Sequence, residues 1–170
     1  DVAGVDRVVV ATDDTRIAEV CTGFGAEVIM TSEDCANGTE RCAEAHAALG
    51  GGFDIIVNLQ GDAPLTPPWF IEALVEGLRA APEAEIATPV LRCDGATLNG
   101  FLEDRKAGRV GGTTAVFGVG GRALYFSKEV IPFTGQTYAA TDEPPVFHHV
   151  GVYAYRPDAT SADPSWPAGH

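Results

Sequence analysis

The sequence predicts an α/β fold, and three observations carry that prediction. Short apolar or β-branched runs recur at Arg7–Ala11, Glu27–Met30, Asp54–Leu59 and Glu85–Leu91. Helical stripes of apolar residues lie between them, and turn formers separate the two kinds of segment. Strands alternating with helices call for a mostly parallel sheet with helices on both faces, a Rossmann-like arrangement, here βαβαβαβ over residues 7–91. Beyond Asp94 the alternation stops, and residues 94–156 read as a smaller antiparallel or mixed β extension of the same domain.

The elements follow in order. Arg7-Val-Val-Val-Ala11 has the pattern of a strand buried on both faces. Thr12-Asp13-Asp14-Thr15 is a helix-start turn, with the two aspartates better read as caps than as paired catalytic carboxylates. Ile17, Val20, Cys21 and Phe24 then form one helical stripe. After Glu27–Met30 and the loop Thr31–Gly38, a second helix carries Cys42, Ala45, His46 and Leu49 on one face, with His46 read as a packed residue. Asp54–Leu59 is the clearest strand. Thr66-Pro67 opens a third helix, cap first and proline next, with the stripe Ile71, Leu74, Val75 and Leu78. Pro89 weakens the second half of the strand Glu85–Leu91. Residues 94–112 are polar and glycine-containing; Thr113–Phe117, Ala123–Ser127 and Val146–Arg156 read as strands without intervening helices, the first two joined as a hairpin through Gly118–Gly121.

Composition narrows the function. The 170 residues carry 11 Lys+Arg against 24 Asp+Glu, a formal net charge of −13, so binding to a nucleic-acid backbone is not expected. No apolar run approaches the roughly 20 residues of a membrane span. Cys21, Cys35, Cys42 and Cys93 form no CxxC pair, which suits reduced thiols in a cytoplasmic protein better than a disulfide framework or a zinc site. The patterns GxGxxG, GxxxxGK[ST] and GxSxG are absent from the sequence.

In a parallel sheet, ligands gather beyond the carboxyl ends of strands, and three segments stand out there. Gln60-Gly-Asp-Ala-Pro64 places Asp62 at the end of the clearest strand, either as a Mg²⁺ ligand or as an ordinary turn former. Asn37-Gly-Thr-Glu-Arg41 leads into a helix N-terminus, which either holds an anionic or carbonyl group of a ligand or is simply capped by Asn37 or Thr39. Period-two alternation over Phe147–Tyr155 puts His149, Gly151, Tyr153 and Tyr155 on one face, a ligand wall or a solvent-facing strand.

Together these segments resemble the 3-deoxy-manno-octulosonate cytidylyltransferases (CMP-Kdo synthetases). The resemblance rests on Val8-Val-Val-Ala-Thr-Asp-Asp14 with Arg16-Ile-Ala18, Met30-Thr31, Gly38-Thr-Glu-Arg41 and Ile56-Val-Asn-Leu-Gln-Gly-Asp62 with Pro64. It continues through Ala123-Leu-Tyr-Phe-Ser127, Ile131-Pro132 and His149-Val-Gly-Val-Tyr-Ala-Tyr-Arg156, in order across about residues 7–156. It implies one incomplete nucleotidyltransferase domain over residues 1–170 that moves CMP from CTP to a Kdo-like sugar acid with release of pyrophosphate, in precursor synthesis for lipopolysaccharide or another surface glycan. By the same resemblance Asp62 holds Mg²⁺, Gln60 lies between nucleotide and sugar, and Asn37, Gly38 and Arg41 read the cytosine. Lys128, His149 and Tyr153 line the sugar-acid pocket, and a homodimer forms through about residues 125–156, with Ile131–Phe133 and Pro144–Phe147 as apolar material.

Departures from the pattern qualify what it implies. Cys35, Asn37 and Ala63 replace the usual histidine, serine and glutamate, and Lys128 replaces an arginine, exchanging a two-pronged fork for a point charge. The sugar acid is therefore not restricted to Kdo, and another acidic sugar such as sialic acid is an alternative. The family's opening strand with its basic glycine loop has no match before Asp1, and its second metal aspartate has none before His170. A fragment with little activity is expected, the contrasting reading being a non-catalytic nucleotide-binding or dimerisation module of the same fold.

Overall fold

The computed structural model describes residues 2–160, and the Pro/Gly-containing stretch Asp163–His170 lies outside them. The chain forms two compact units, one from the described parts of Asp1–Ala87 and Val152–His170, the other from Thr88–Gly151.

The first unit contains β1 (Val10–Thr12), α1 (Thr15–Gly23), β2 (Val28–Met30), α2 (Gly38–Ala48), β3 (Ile56–Leu59), α3 (Pro68–Ala80) and β4 (Ile86–Ala87). The second contains β5 (Val90–Arg92), α4 (Gly95–Lys106), β6 (Thr113–Phe117), β7 (Ala123–Ser127) and β8 (Phe147–His149), after which β9 (Val152–Tyr155) and α5 (Pro157–Thr160) return to the first. The α/β class holds, but the mostly parallel sheet does not. Among the described residues only β1 and β2 pair in parallel. In the first unit β9 lies between β3 and β4, antiparallel to both. The second unit is an antiparallel sheet in the order β5-β8-β6-β7.

Two strands read as continuous are broken. The ladder of Glu85–Leu91 stops after β4 because Pro89 has no N–H to donate. Opposite that break the Val150 amide donates to Pro89 O, and the Thr88 hydroxyl donates to Val150 O. The strand through His149 ends there, and β9 begins two residues later.

Apolar periodicity predicts burial well in α3, where Ile71, Leu74, Val75 and Leu78 are all buried. Arg156 closes the end of that helix, its guanidinium donating to Leu78 O at 2.7 Å and Ala84 O at 2.9 Å. The helix begins one residue later than expected: the Thr66 hydroxyl donates to Ala63 O instead of capping, and Pro67 is the N-cap. His46 packs beside Phe53, as its stripe suggested. The stripe on α1 behaves differently. Ile17, Val20 and Phe24 are exposed, no α1 residue is buried, and Val8 lies outside β1 at 76% exposure.

The sequence reading missed α4. Asp94 caps it, accepting from Thr97 N at 2.7 Å, and Leu98 with Phe101 packs it onto Val146 and Cys93. Gly95 and Gly100 dilute the stripe. Gly95 is required by its surroundings, because a Cβ there would fall 1.8 Å from Ala139 O. The hairpin β6–β7 forms as expected, turning through Gly120 and Gly121 at φ +84° and +82°.

Candidate functional site

The loop entering α2 is held at nearly every side chain. Asn37 caps the helix, its Oδ1 accepting from Thr39 N at 2.9 Å and Glu40 N at 3.0 Å. Glu40 reaches back to accept from Ala36 N at 2.7 Å, a reciprocal arrangement that satisfies donors at both ends of the turn. Glu44 accepts from Ser32 N at 2.8 Å and from the Cys35 thiol at 3.1 Å, and this contact, more than burial, pushes the thiol up.

Beneath the loop, Gly38 meets β3. A Cβ at Gly38 would fall 2.9 Å from the amide nitrogen of Asn58, which is buried. The Tyr155 hydroxyl, on neighbouring β9, lies 2.9 Å from the Thr39 hydroxyl. Burial pushes the Tyr155 phenol up, against the pull of hydrogen bonds with Thr39 and Asn58. Tyr153, the cross-strand partner of Asn58, stacks on Tyr155 with centroids 5.9 Å apart. Burial raises its phenol as well, with Tyr155 as a second cause.

Arg41 projects from the first turn of α2 and is clamped. Its Nη1 donates to Thr31 Oγ1 at 2.5 Å and its Nη2 to Asp13 Oδ2 at 2.6 Å. Asp14 does cap α1, accepting from Arg16 N, but Asp13 serves Arg41 instead.

The turn after β3 contrasts with this loop. The Ala63 amide closes it onto Gln60 O at 3.0 Å, while Gln60 and Asp62 are exposed. Among the described residues Asp62 enters no hydrogen bond or ion pair, and no group of three His, Cys, Asp or Glu side chains is placed to hold a metal. A single open carboxylate fits Mg²⁺, which keeps several waters and takes one or two carboxylates plus phosphates, and does not fit an all-protein cage.

In the second unit, cross-strand pairing makes a polar row. His149 on β8 faces Thr113 on β6, and Thr113 Oγ1 accepts from Lys128 Nζ at 2.7 Å. The Thr88 hydroxyl lies 2.9 Å from His149 Nε2, and the Phe126 ring meets His149 edge-on at 4.9 Å. Burial first, then His148 and Lys128, holds the His149 imidazole below its ordinary value.

Asn37, Gly38 and Arg41 thus share one loop, Gln60 and Asp62 share the end of β3, and Lys128 and His149 share one row. The alternation assumed one continuous strand over Phe147–Tyr155, but the strand breaks at Val150–Gly151, with His149 on β8 and Tyr153 on β9 in separate sheets. The sequence places Tyr155 on a possible ligand wall and reads Asp13 as a cap rather than as a partner of Arg41, and it gives no role to Asn58, Thr31 or Thr113. Of these three, Asn58 carries a signal, a polar residue inside an otherwise apolar strand.

The cytidylyltransferase family profile matches residues 1–163. The chain belongs to that family. Among similar proteins, 3-deoxy-manno-octulosonate cytidylyltransferase of Maricaulis maris is 46% identical over 92% of this chain and 60% of its own length. The enzyme of the same name from Zea mays is 42% identical over 90% of this chain and 48% of its own. A solved structure of CMP:2-keto-3-deoxy-manno-octonic acid synthetase complexed with CTP superposes with a TM-score of 0.80 at 33% identity, covering 99% of this chain and 64% of that one. This cytidylyltransferase-family chain therefore spans roughly half to two thirds of the length of these relatives.

Proposed function

We propose that the protein to which this chain corresponds is a cytidylyltransferase that moves CMP from CTP to a Kdo-like sugar acid. The anomeric hydroxyl oxygen attacks the α-phosphorus in line. A new O–P bond forms as the bond to the β-phosphate oxygen breaks, pyrophosphate leaves, and the hydroxyl proton passes to solvent. The protein's part is to position and to neutralise charge. Asn37, Gly38 and Arg41 hold the cytosine, Gln60 lies between nucleotide and sugar acid, and Asp62 holds Mg²⁺. When bound, the ion offsets the negative charge of the phosphates. Lys128, with His149, receives the sugar acid, whose carboxylate needs a cation once desolvated. Burial holds the His149 imidazole below its ordinary value, which favours the neutral, hydrogen-bonding form over a second cation.

The observation that carries this reading is that one strand serves both halves of the nucleotide site: Asn58 of β3 packs on Gly38, and Gln60 and Asp62 follow directly at its end. Calorimetry on the 170-residue chain tests it. CTP is expected to bind more tightly with Mg²⁺ than without, and Asp62→Ala to abolish that difference. An unchanged metal dependence in the variant removes the role given to Asp62.

The reading extends to a single nucleotidyltransferase domain in the cytoplasm and to a homodimer. The four cysteines are free thiols, and no helix among the described residues is long and apolar enough to cross a membrane. For the dimer the support is β7, an edge strand that exposes Leu124 at 66% and Tyr125 at 63%. Phe133 is exposed too, whereas Pro144 and Val146, also offered by the sequence, are buried within their own unit and are not available. Sedimentation is expected to show self-association that Leu124→Lys weakens; a monomer at tens of micromolar would overturn it.

A further inference from the structure

The clamp on Arg41 has a chemical consequence for base selection. A guanidinium has five N–H donors and no acceptor, and it keeps its charge at any ordinary pH. Two of those donors are spent inside the protein, on Thr31 and Asp13, both at distances that leave no slack. Their anchors are fixed in turn. Thr31 follows β2, is buried, and donates its amide to Thr12 O at 2.9 Å; Asp13 follows β1, the parallel neighbour of β2. The fork is therefore held from the ends of two paired strands, while Arg41 itself rides on α2. What remains is a rigid, donor-only surface whose charge is matched by one carboxylate.

Such a surface distinguishes cytosine from uracil at one ring position. N3 of cytosine is a lone-pair acceptor, whereas N3 of uracil carries a hydrogen. A donor group fixed against that edge accepts cytosine and leaves two donors facing each other with uracil, the kind of mismatch that a buried polar site rejects strongly. A free arginine discriminates poorly, because a flexible guanidinium can swing toward the phosphates common to both nucleotides. The neighbourhood also offers other carboxylates: Glu40 and Glu44 both bear electrostatically on Cys35, as Arg41 does.

The geometry points to Asp13 as a positioning residue for base selection: acting through Arg41, it holds the guanidinium as a fixed donor that prefers cytosine over uracil. This inference rests on the reading that Arg41 faces the nucleobase. Asp13 does not touch the nucleotide in this account, and its effect is confined to the base.

Parallel titrations of the 170-residue chain with CTP and UTP, each with Mg²⁺, separate the possibilities. The unaltered chain is expected to prefer CTP. Asp13→Asn, which keeps the shape and removes the charge, is expected to weaken CTP at least tenfold while UTP changes less than twofold. Thr31→Val, which removes the other anchor and leaves the ion pair, is expected to narrow the preference to a lesser degree. It supplies an independent test should Asp13→Asn prove poorly folded by circular dichroism. Equal weakening of both nucleotides by either folded variant would show a merely structural clamp and overturn the inference. So would an undiminished preference for CTP. No preference in the unaltered chain would instead overturn the base-reading role of Arg41, and the inference with it.

Discussion

The loop that enters α2 and the turn that leaves β3 belong to one unit and to one proposed nucleotide site, yet they are built on opposite plans. In the loop, Asn37, Thr39, Glu40, Arg41 and Glu44 each hold an intramolecular partner, and Gly38 has no room for a side chain. In the turn, Gln60 and Asp62 face solvent, and a Cβ at Gly61 would meet nothing within 4 Å. Recognising a base demands donors and acceptors fixed before the ligand arrives, since ordering them afterwards costs affinity. Holding a hydrated metal beside phosphates demands the reverse, an open carboxylate that ligand oxygens and water can reach. The Lys128–Thr113–His149 row lies between these plans, with an exposed ammonium resting on a strand hydroxyl.

The largest effect that sharpens the contrast is expected from Gly38→Ala. The new methyl would press on the buried Asn58 amide, so urea unfolding should lose about 1–3 kcal/mol, the usual cost of overpacking. A neutral result would mean that the loop is looser than its contacts suggest. Next comes Tyr155→Phe, which removes only the hydroxyl that bonds with Thr39 and Asn58. About 1–2 kcal/mol of stability should be lost, because a polar group at a half-buried contact is left unpaired. CTP affinity should fall with it if that bond steadies the helix start.

A shallower effect is expected in the second unit, from pH. Burial lowers both His148 and His149 from the ordinary value of about 6.5. Below that pH the unfolded chain takes up protons that the folded histidines refuse. Stability is therefore full above pH 6.5 and falls as the pH is lowered through the depressed values. Urea midpoints between pH 7.5 and 5.5 should show this slope, and His149→Gln should flatten it; an identical slope in the variant would mean that the acid sensitivity comes from other groups. Smallest of all is Gly61→Ala. Stability should stay within about 0.5 kcal/mol, as for other surface changes in open space. Weakened CTP binding without destabilisation would show that the ligand approaches the backbone there, and a loss of stability would erase the contrast between loop and turn.

Much of the first unit was legible. The stripe of α3 matches its buried face residue for residue, and Asn37 and Asp14 are the caps their types suggest, because spacing and cap chemistry act over one or two turns. The misses have local causes as well. Helix α4 was hidden by two glycines, one of which, Gly95, has its reason 44 residues away at Ala139, and the apolar stripe on α1 is exposed because periodicity states which residues share a face but not whether anything covers it.

Where the chain pairs with itself was decided by tertiary structure. A strand's alternation is the same whether its neighbours run parallel or antiparallel, so the insertion of β9 between β3 and β4 left no mark in the sequence. The break at Val150–Gly151 was likewise not read from the alternation of its own strand, and it lies opposite Pro89, whose carbonyl accepts from the Val150 amide. The sequence by itself determined the kinds of side chain available at each site: the donor-only Arg41, the open carboxylate of Asp62, the ammonium of Lys128. That Arg41 is locked by Asp13, 28 residues earlier, followed only from folding, because such a contact depends on where two strands end in space and not on their spacing along the chain.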